Sequence, residues 1–218
     1  MESRTRTASE SHSEYYLGIE SDCESVARYV EFSDDHRKVY SHYFSHMLTT
    51  AGAEFESVSK AIAVAANKPE PKMIFEIRNL YIPIESYLKS CSLRLLKGDI
   101  TITPFCDWEI GTSPIWWKAY NDIKHSRHTN AKSGSMFNAL QALGALFFAN
   151  LVLANTEHGY GNHFKYSHRT RLFYLNPFEN EPNWRHGPDS VRPLHFLSVG
   201  ELEVNKRMRE LIGLKPTE

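Results

Sequence analysis

The stretch MFNALQALGALFFANLVLA, Met136 to Ala154, decides the fold. Its length approaches that of a bilayer span, which takes about 20 mostly apolar residues. Asn138, Gln141 and Asn150 interrupt it, and amides facing hydrocarbon are expensive. The stretch therefore reads as a buried core helix rather than a membrane segment. It ends near Asn155 to Gly159, where glycine suits a C-terminal cap.

A helix that is apolar all round has to be covered by others, and the flanking sequence supplies them. From Ser33 a second helical pattern begins, with Ser33 as N-cap, Asp34 and Asp35 in the first turn, and an apolar stripe of Tyr40, Phe44, Met47, Leu48, Ala51, Phe55, Val58 and Ile62. It runs to about Ala66, because Asn67, Lys68, Pro69 and Pro71 follow. Pro83 splits the segment from Met73 to Leu96 into two short pieces. LRLL, KGD and ITITPF then read as a small hairpin turning at Gly98-Asp99. Ser113 and Pro114 form a helix-start pair for a helix to about His128, and the short link from Lys132 to Ser135 makes it an antiparallel neighbour of the apolar helix.

These elements predict a mainly α fold, a helical bundle with a small β ribbon and an irregular C-terminal extension. The expected organisation is a polar N-terminal tail and lead-in over 1–32, the bundle with its inserted hairpin over 33–158, and the extension over 159–218. That extension has a possible strand near Arg171 to Leu175 and a last helix near Val199 to Leu214. At 218 residues the chain is long enough for one domain with a real core.

Composition narrows the chemistry. With 25 Lys+Arg against 26 Asp+Glu the net charge is -1, so any contact with nucleic acid has to be local. Cys23, Cys91 and Cys106 are odd in number and widely spaced, which suggests neither a disulfide framework nor a thiolate zinc site, and points to a reducing cytoplasm. The first residues have no apolar signal region. No phosphate-cradling glycine loop, nucleophile elbow or dinucleotide fingerprint is present.

The informative polar segment is PIWWKAYNDIKHSRH, Pro114 to His128. At 100° per residue it places Lys118, Asn121, His125 and His128 within about 80° of arc, with Trp116, Tyr120 and Ile123 opposite. Asn121 and His125, one turn apart, can touch, with Lys124 and Arg127 beside them. Cleaving RNA without metal takes a base, a cation for the phosphate and an acid. His125 suits the base or the acid, Lys124 or Arg127 the phosphate, and Asn121 an orienting hydrogen bond. Glu54, at the border of the first stripe, could reach His125 across a helix interface and orient it. The plain alternative is a solvated helix face.

The stretches AGAEFESVSKAI, ITPFCDW, WWKAYNDIKHSR and FNALQALGALFF together resemble a branch of the HEPN superfamily of helical-bundle proteins, over about Ser33 to Leu153. The resemblance implies a metal-independent endoribonuclease in a prokaryotic defence or toxin-antitoxin setting, a homodimer, RNA as substrate, and a defence-system partner protein. The family's motif is an arginine, a polar residue, and a histidine after a short gap. YNDIKH places Asn121 and His125 on the last two positions, but Tyr120 on the arginine. A non-catalytic module that binds RNA or a protein is the alternative this departure opens. Arg78, followed by Asn79, could supply a guanidinium only from another helix.

Other candidates read more plainly. His125 and His128, with His158, His163 or His168, could bind zinc, but no HExxH accompanies them, so no metal and no cofactor are expected. Phe105, Trp108, Trp116 and Trp117 could stack bases, although such clusters more often fill a core. Tyr166, His168, Arg169 and Arg171 form a basic-aromatic patch within the extension.

Overall fold

Five helices of eight residues or more form among the residues that the computed structural model describes, namely 5–84, 89, 92–158 and 170–176. In chain order they are α1 (Ala8–Val26), α2 (His42–Ala65), α3 (Ile74–Tyr81), α4 (Ile115–Ser126) and α5 (Met136–His158). Strands β1 (Ser92–Leu95), β2 (Thr101–Ile102) and β3 (Phe173–Asn176) form an antiparallel sheet in the order β2-β1-β3. The fold is thus mainly helical with a small antiparallel sheet. The last helix expected near Val199 to Leu214 and the patch at Tyr166, His168 and Arg169 lie outside the described residues.

Helix α5 is the centre. It is long and apolar enough to cross a membrane, and 83% of its most apolar window is buried inside the fold. α2 packs along it most extensively, and α1, α4 and β2 also touch it. Two of its interrupting amides donate within the local chain: the Asn150 side chain to Leu146 O at 3.0 Å and Asn138 to Ser133 O at 2.9 Å. The expected hairpin is present, Leu93 pairing with Ile102 and Arg94 with Thr101, and Gly98 turns with φ 108°. β3 extends it on the other side, with Leu93 opposite Leu175.

The N-terminal tail and lead-in differ from the sequence reading, because residues 8–26, from within the expected tail onward, form a helix. A capping box starts it: the Thr7 hydroxyl accepts from Glu10 N, and the Glu10 carboxylate accepts from Thr7 N, each at 3.2 Å. Its inward face is Ser9, Ser13, Tyr16, Ile19, Glu20 and Cys23, half of them polar, so no apolar stripe marked it. Hydrogen bonds replace grease. Ser9 N donates to Glu157 at 3.0 Å, tying α1 to the end of α5. Buried Glu20 accepts from Tyr16 at 2.8 Å, from Arg171 N at 3.0 Å, from Leu172 N at 3.2 Å and from the Thr170 hydroxyl, anchoring the entry to β3.

Two helix starts also move. Ser33 precedes only a single 3-10 turn over Asp34–His36, and α2 begins at His42, where the Ser41 hydroxyl accepts from Phe44 N at 3.1 Å. α4 begins at Ile115 with Pro114 itself as N-cap; the missing side-chain cap comes from Asp107, which accepts from Ile115 N at 2.7 Å. α2 ends at Ala65 as expected, with Asn67 at φ 52° beyond its cap. Likewise α3 stops at Tyr81, just before Pro83.

The approach of α4 to α2 is set by Gly52. A Cβ there would stand 2.6 Å from the Tyr120 ring. One turn further on, Phe55 meets Trp116 edge-on at 5.2 Å and Trp117 at 6.1 Å. Gly52→Ala is expected to force these helices apart and to lower unfolding free energy by about 1–3 kcal/mol, the range for overpacking a core. Urea denaturation measures it, and an unchanged midpoint would show that Tyr120 can give way.

Candidate functional site

The aromatic face of α4 decides what the helix can display. Trp116, Trp117, Ala119, Tyr120 and Ile123 are buried, and Trp116 Nε1 donates to Pro104 O at 2.8 Å. Phe105 and Trp108 are buried with them, their rings stacked at 5.5 Å. These aromatics fill the core and are not available to stack bases.

The opposite face points outward. Lys118, Lys124, His125, Arg127 and His128 are exposed, and Asn121 is half-buried. Lys118 pairs with Asp122 at 3.2 Å, the one acidic side chain on this helix. Lys124 lies 5.1 Å from the centre of the Tyr120 ring, and its interaction with Tyr120, with a smaller contribution from the Glu56 carboxylate, raises the ammonium above the ordinary lysine value. Among the described residues, no carboxylate forms an ion pair with Lys124, Arg127 or Lys132.

Several expected contacts are not made. The Asn121 amide turns back onto its own helix, donating to Trp117 O at 3.1 Å, and does not hold His125. Glu54 is committed to α1, where its carboxylate meets His12 Nδ1 at 2.5 Å with both side chains largely buried, so it does not orient His125. Arg78 is buried, at 7% exposure, and offers no guanidinium to solvent. The structure thus brings together Lys124, His125 and Arg127 at one end of α4, and leaves Glu54 and Arg78 elsewhere.

A cleft lies beside that end. About 710 Å³ in volume, it is lined by Tyr40, Ser41, His42 and Ser45 from the start of α2 and by Arg127, His128 and Ala131 from the chain leaving α4. Sequence spacing hides His42 and Tyr40 as site residues, because a helix that starts at Ser33 places both of them inside it. Ser41, a cap residue at the start of the dense apolar pattern, was the available signal.

Cysteine chemistry has no footing in Cys23: burial and the Glu20 carboxylate push its thiol up. No three His, Cys, Asp or Glu side chains gather as metal ligands among the described residues, and His158 contacts Ser9 at 3.1 Å instead. His163 and His168 lie outside the described residues. Comparison with protein-family models, with curated proteins and with solved structures finds no match to this chain.

Tyr120 occupies the position where the resembled motif has arginine, and it is only 2% exposed. Tyr120→Arg is therefore expected to bury an unpaired cation against Gly52 and to lower stability by on the order of 3 kcal/mol, without creating cleavage. A thermal melt and an RNA cleavage assay read this together. A stable variant that gains activity would show that the position is open to the surface.

Proposed function

We propose that this chain acts on RNA, binding the phosphate backbone at the cationic C-terminal end of α4. The observation that carries the reading is local charge. Residues 118–132 hold Lys118, Lys124, Arg127 and Lys132 against Asp122 alone, on a chain of net charge -1, and Asp122 is taken up by Lys118. Unpaired cations in such a cluster suit a polyanion, whose binding releases counterions. The HEPN resemblance supports the same ligand.

Binding without cleavage is the form the geometry favours. His125 has no orienting partner among the described residues, and the arginine position holds a buried tyrosine. The endoribonuclease form is the second reading. What favours it is that His125 is exposed beside Lys124 and Arg127, where an incoming phosphodiester would meet a base or acid and a cation together. With the resemblance come a two-fold dimer, a defence-system partner protein and a cytoplasmic setting. Ile110 and Ile115, 84% and 67% exposed before and at the start of α4, offer apolar surface to a second copy or a partner.

The test is labelled single-stranded RNA with the purified protein in chelator, across a salt series. Binding is expected to weaken with salt with a log–log slope of about -2, the value for three phosphate contacts on a single strand. Lys124→Ala combined with Arg127→Ala should remove most of that slope while the RNA stays intact. Cleavage lost in His125→Ala would establish the second reading. RNA that is neither bound nor cut removes both.

A further inference from the structure

We propose that the cleft between the start of α2 and the chain leaving α4 is a binding site for a phosphomonoester, carried either on the end of an RNA strand or by a free mononucleotide. This deepens the RNA reading by saying which part of the strand the cleft would hold, and it rests on that reading for the strand-end source only. The volume, about 710 Å³, is within the range of small-ligand pockets.

The walls are fixed by backbone. Tyr40 bridges to Ser135, Met136 N donates to Val39 O at 2.7 Å, and Ser41 N donates to Gly134 O at 3.4 Å. On the far side Asn130 braces the loop, its side chain donating to Ser126 O at 3.2 Å and its carbonyl accepting from Ser133 N at 2.8 Å. A ligand entering here meets positions already set.

The lining is one-sided in charge. Arg127, His42 and His128 are exposed to the cleft, no carboxylate lines it, and none of the three has an ion pair or side-chain hydrogen bond among the described residues. Ser45 closes the floor at 4% exposure, its hydroxyl already donating to Ser41 O at 2.9 Å. A guanidinium and two imidazoles offer N–H donors on three separate side chains. A phosphomonoester has three terminal oxygens and up to two charges to receive them, whereas an internal phosphodiester has two free oxygens and one charge. Tyr40, half exposed at the rim, adds a ring face for a base or sugar. His42 and His128 lack a third ligand among the described residues, so the same cleft is not equipped for zinc.

Fluorescence anisotropy with the full chain tests this, using one RNA oligomer with a 5′-phosphate, a 3′-phosphate or hydroxyl ends, and AMP, adenosine and inorganic phosphate as competitors. One phosphorylated end, or AMP itself, is expected to bind about tenfold more tightly than its hydroxyl counterpart, the size of one charge-assisted contact. His42→Ala should bring that ratio toward one. Tyr40→Ala, at an exposed position, should weaken AMP more than inorganic phosphate, with circular dichroism checking that both variants fold. Equal affinity for all three RNAs, with AMP no better than adenosine, overturns the cleft assignment while the α4 reading stands. Tight AMP binding with no RNA binding supports the cleft with a mononucleotide as ligand, and removes the RNA reading instead.

Discussion

The contact between Gly52 on α2 and the Tyr120 ring on α4 is the constraint on which the rest of the molecule depends. Because the ring lies where a Cβ would be, the two helices come close enough for Phe55 to become a hub. Its ring packs within 6.5 Å of Tyr81, Phe105, Trp108, Trp116 and Trp117, joining α3, the chain after the hairpin, and α4 in one cluster. Such ring pairs add to the transfer free energy of burial and are directional, so they fix rotation as well as distance. Rotation is what matters functionally. With Trp116, Tyr120 and Ile123 held inward, helical periodicity leaves Lys118, Lys124, His125 and Arg127 facing out.

The second support is polar. α1 has too few apolar side chains to dock by burial alone, and it is held through Ser9, His12 and Glu20 to α5, α2 and the entry to β3. Buried hydrogen bonds of this kind contribute modestly when made and are expensive when one partner is removed. α5 carries the opposite imbalance. Its Gln141, Asn150 and Asn155 side chains each leave a buried oxygen without a partner among the described residues, a small loss on a helix otherwise buried among apolar neighbours.

How much could be read from residues alone follows from these two kinds of packing. In α2 and α4 apolar residues at helical spacing state the helix and its inward face, and the structure agrees except at Tyr40, which lies before α2 and is half exposed, while α5 is legible as one continuous apolar run. Pro83 and Gly98 likewise announced a break and a turn through backbone chemistry that does not depend on context. α1 was illegible because its inward face is half polar, and only long-range partners make those positions favourable. The candidate site divides in the same way. The outward arc of α4 is geometry within one helix and was legible; the pairing of Glu54 with His12 and the cleft between Tyr40 and Arg127 join segments far apart in the chain, and no local pattern encodes them.

Tyr120 shows how packing limits the chemistry that one position of α4 can carry. On this helix the position faces the core, against Gly52, where a guanidinium would need a buried counter-charge and an aromatic ring needs none. Lys124 reaches back over this ring, 5.1 Å from its centre. The cation on this part of the helix is instead carried at the exposed rim, one turn beyond Tyr120. A rim lysine on a flexible stem is a point charge suited to a moving phosphate backbone, whereas a fixed guanidinium is suited to a single phosphate in register. Both kinds of cation are present here, Lys124 exposed on α4 and Arg127 in the lining of the cleft.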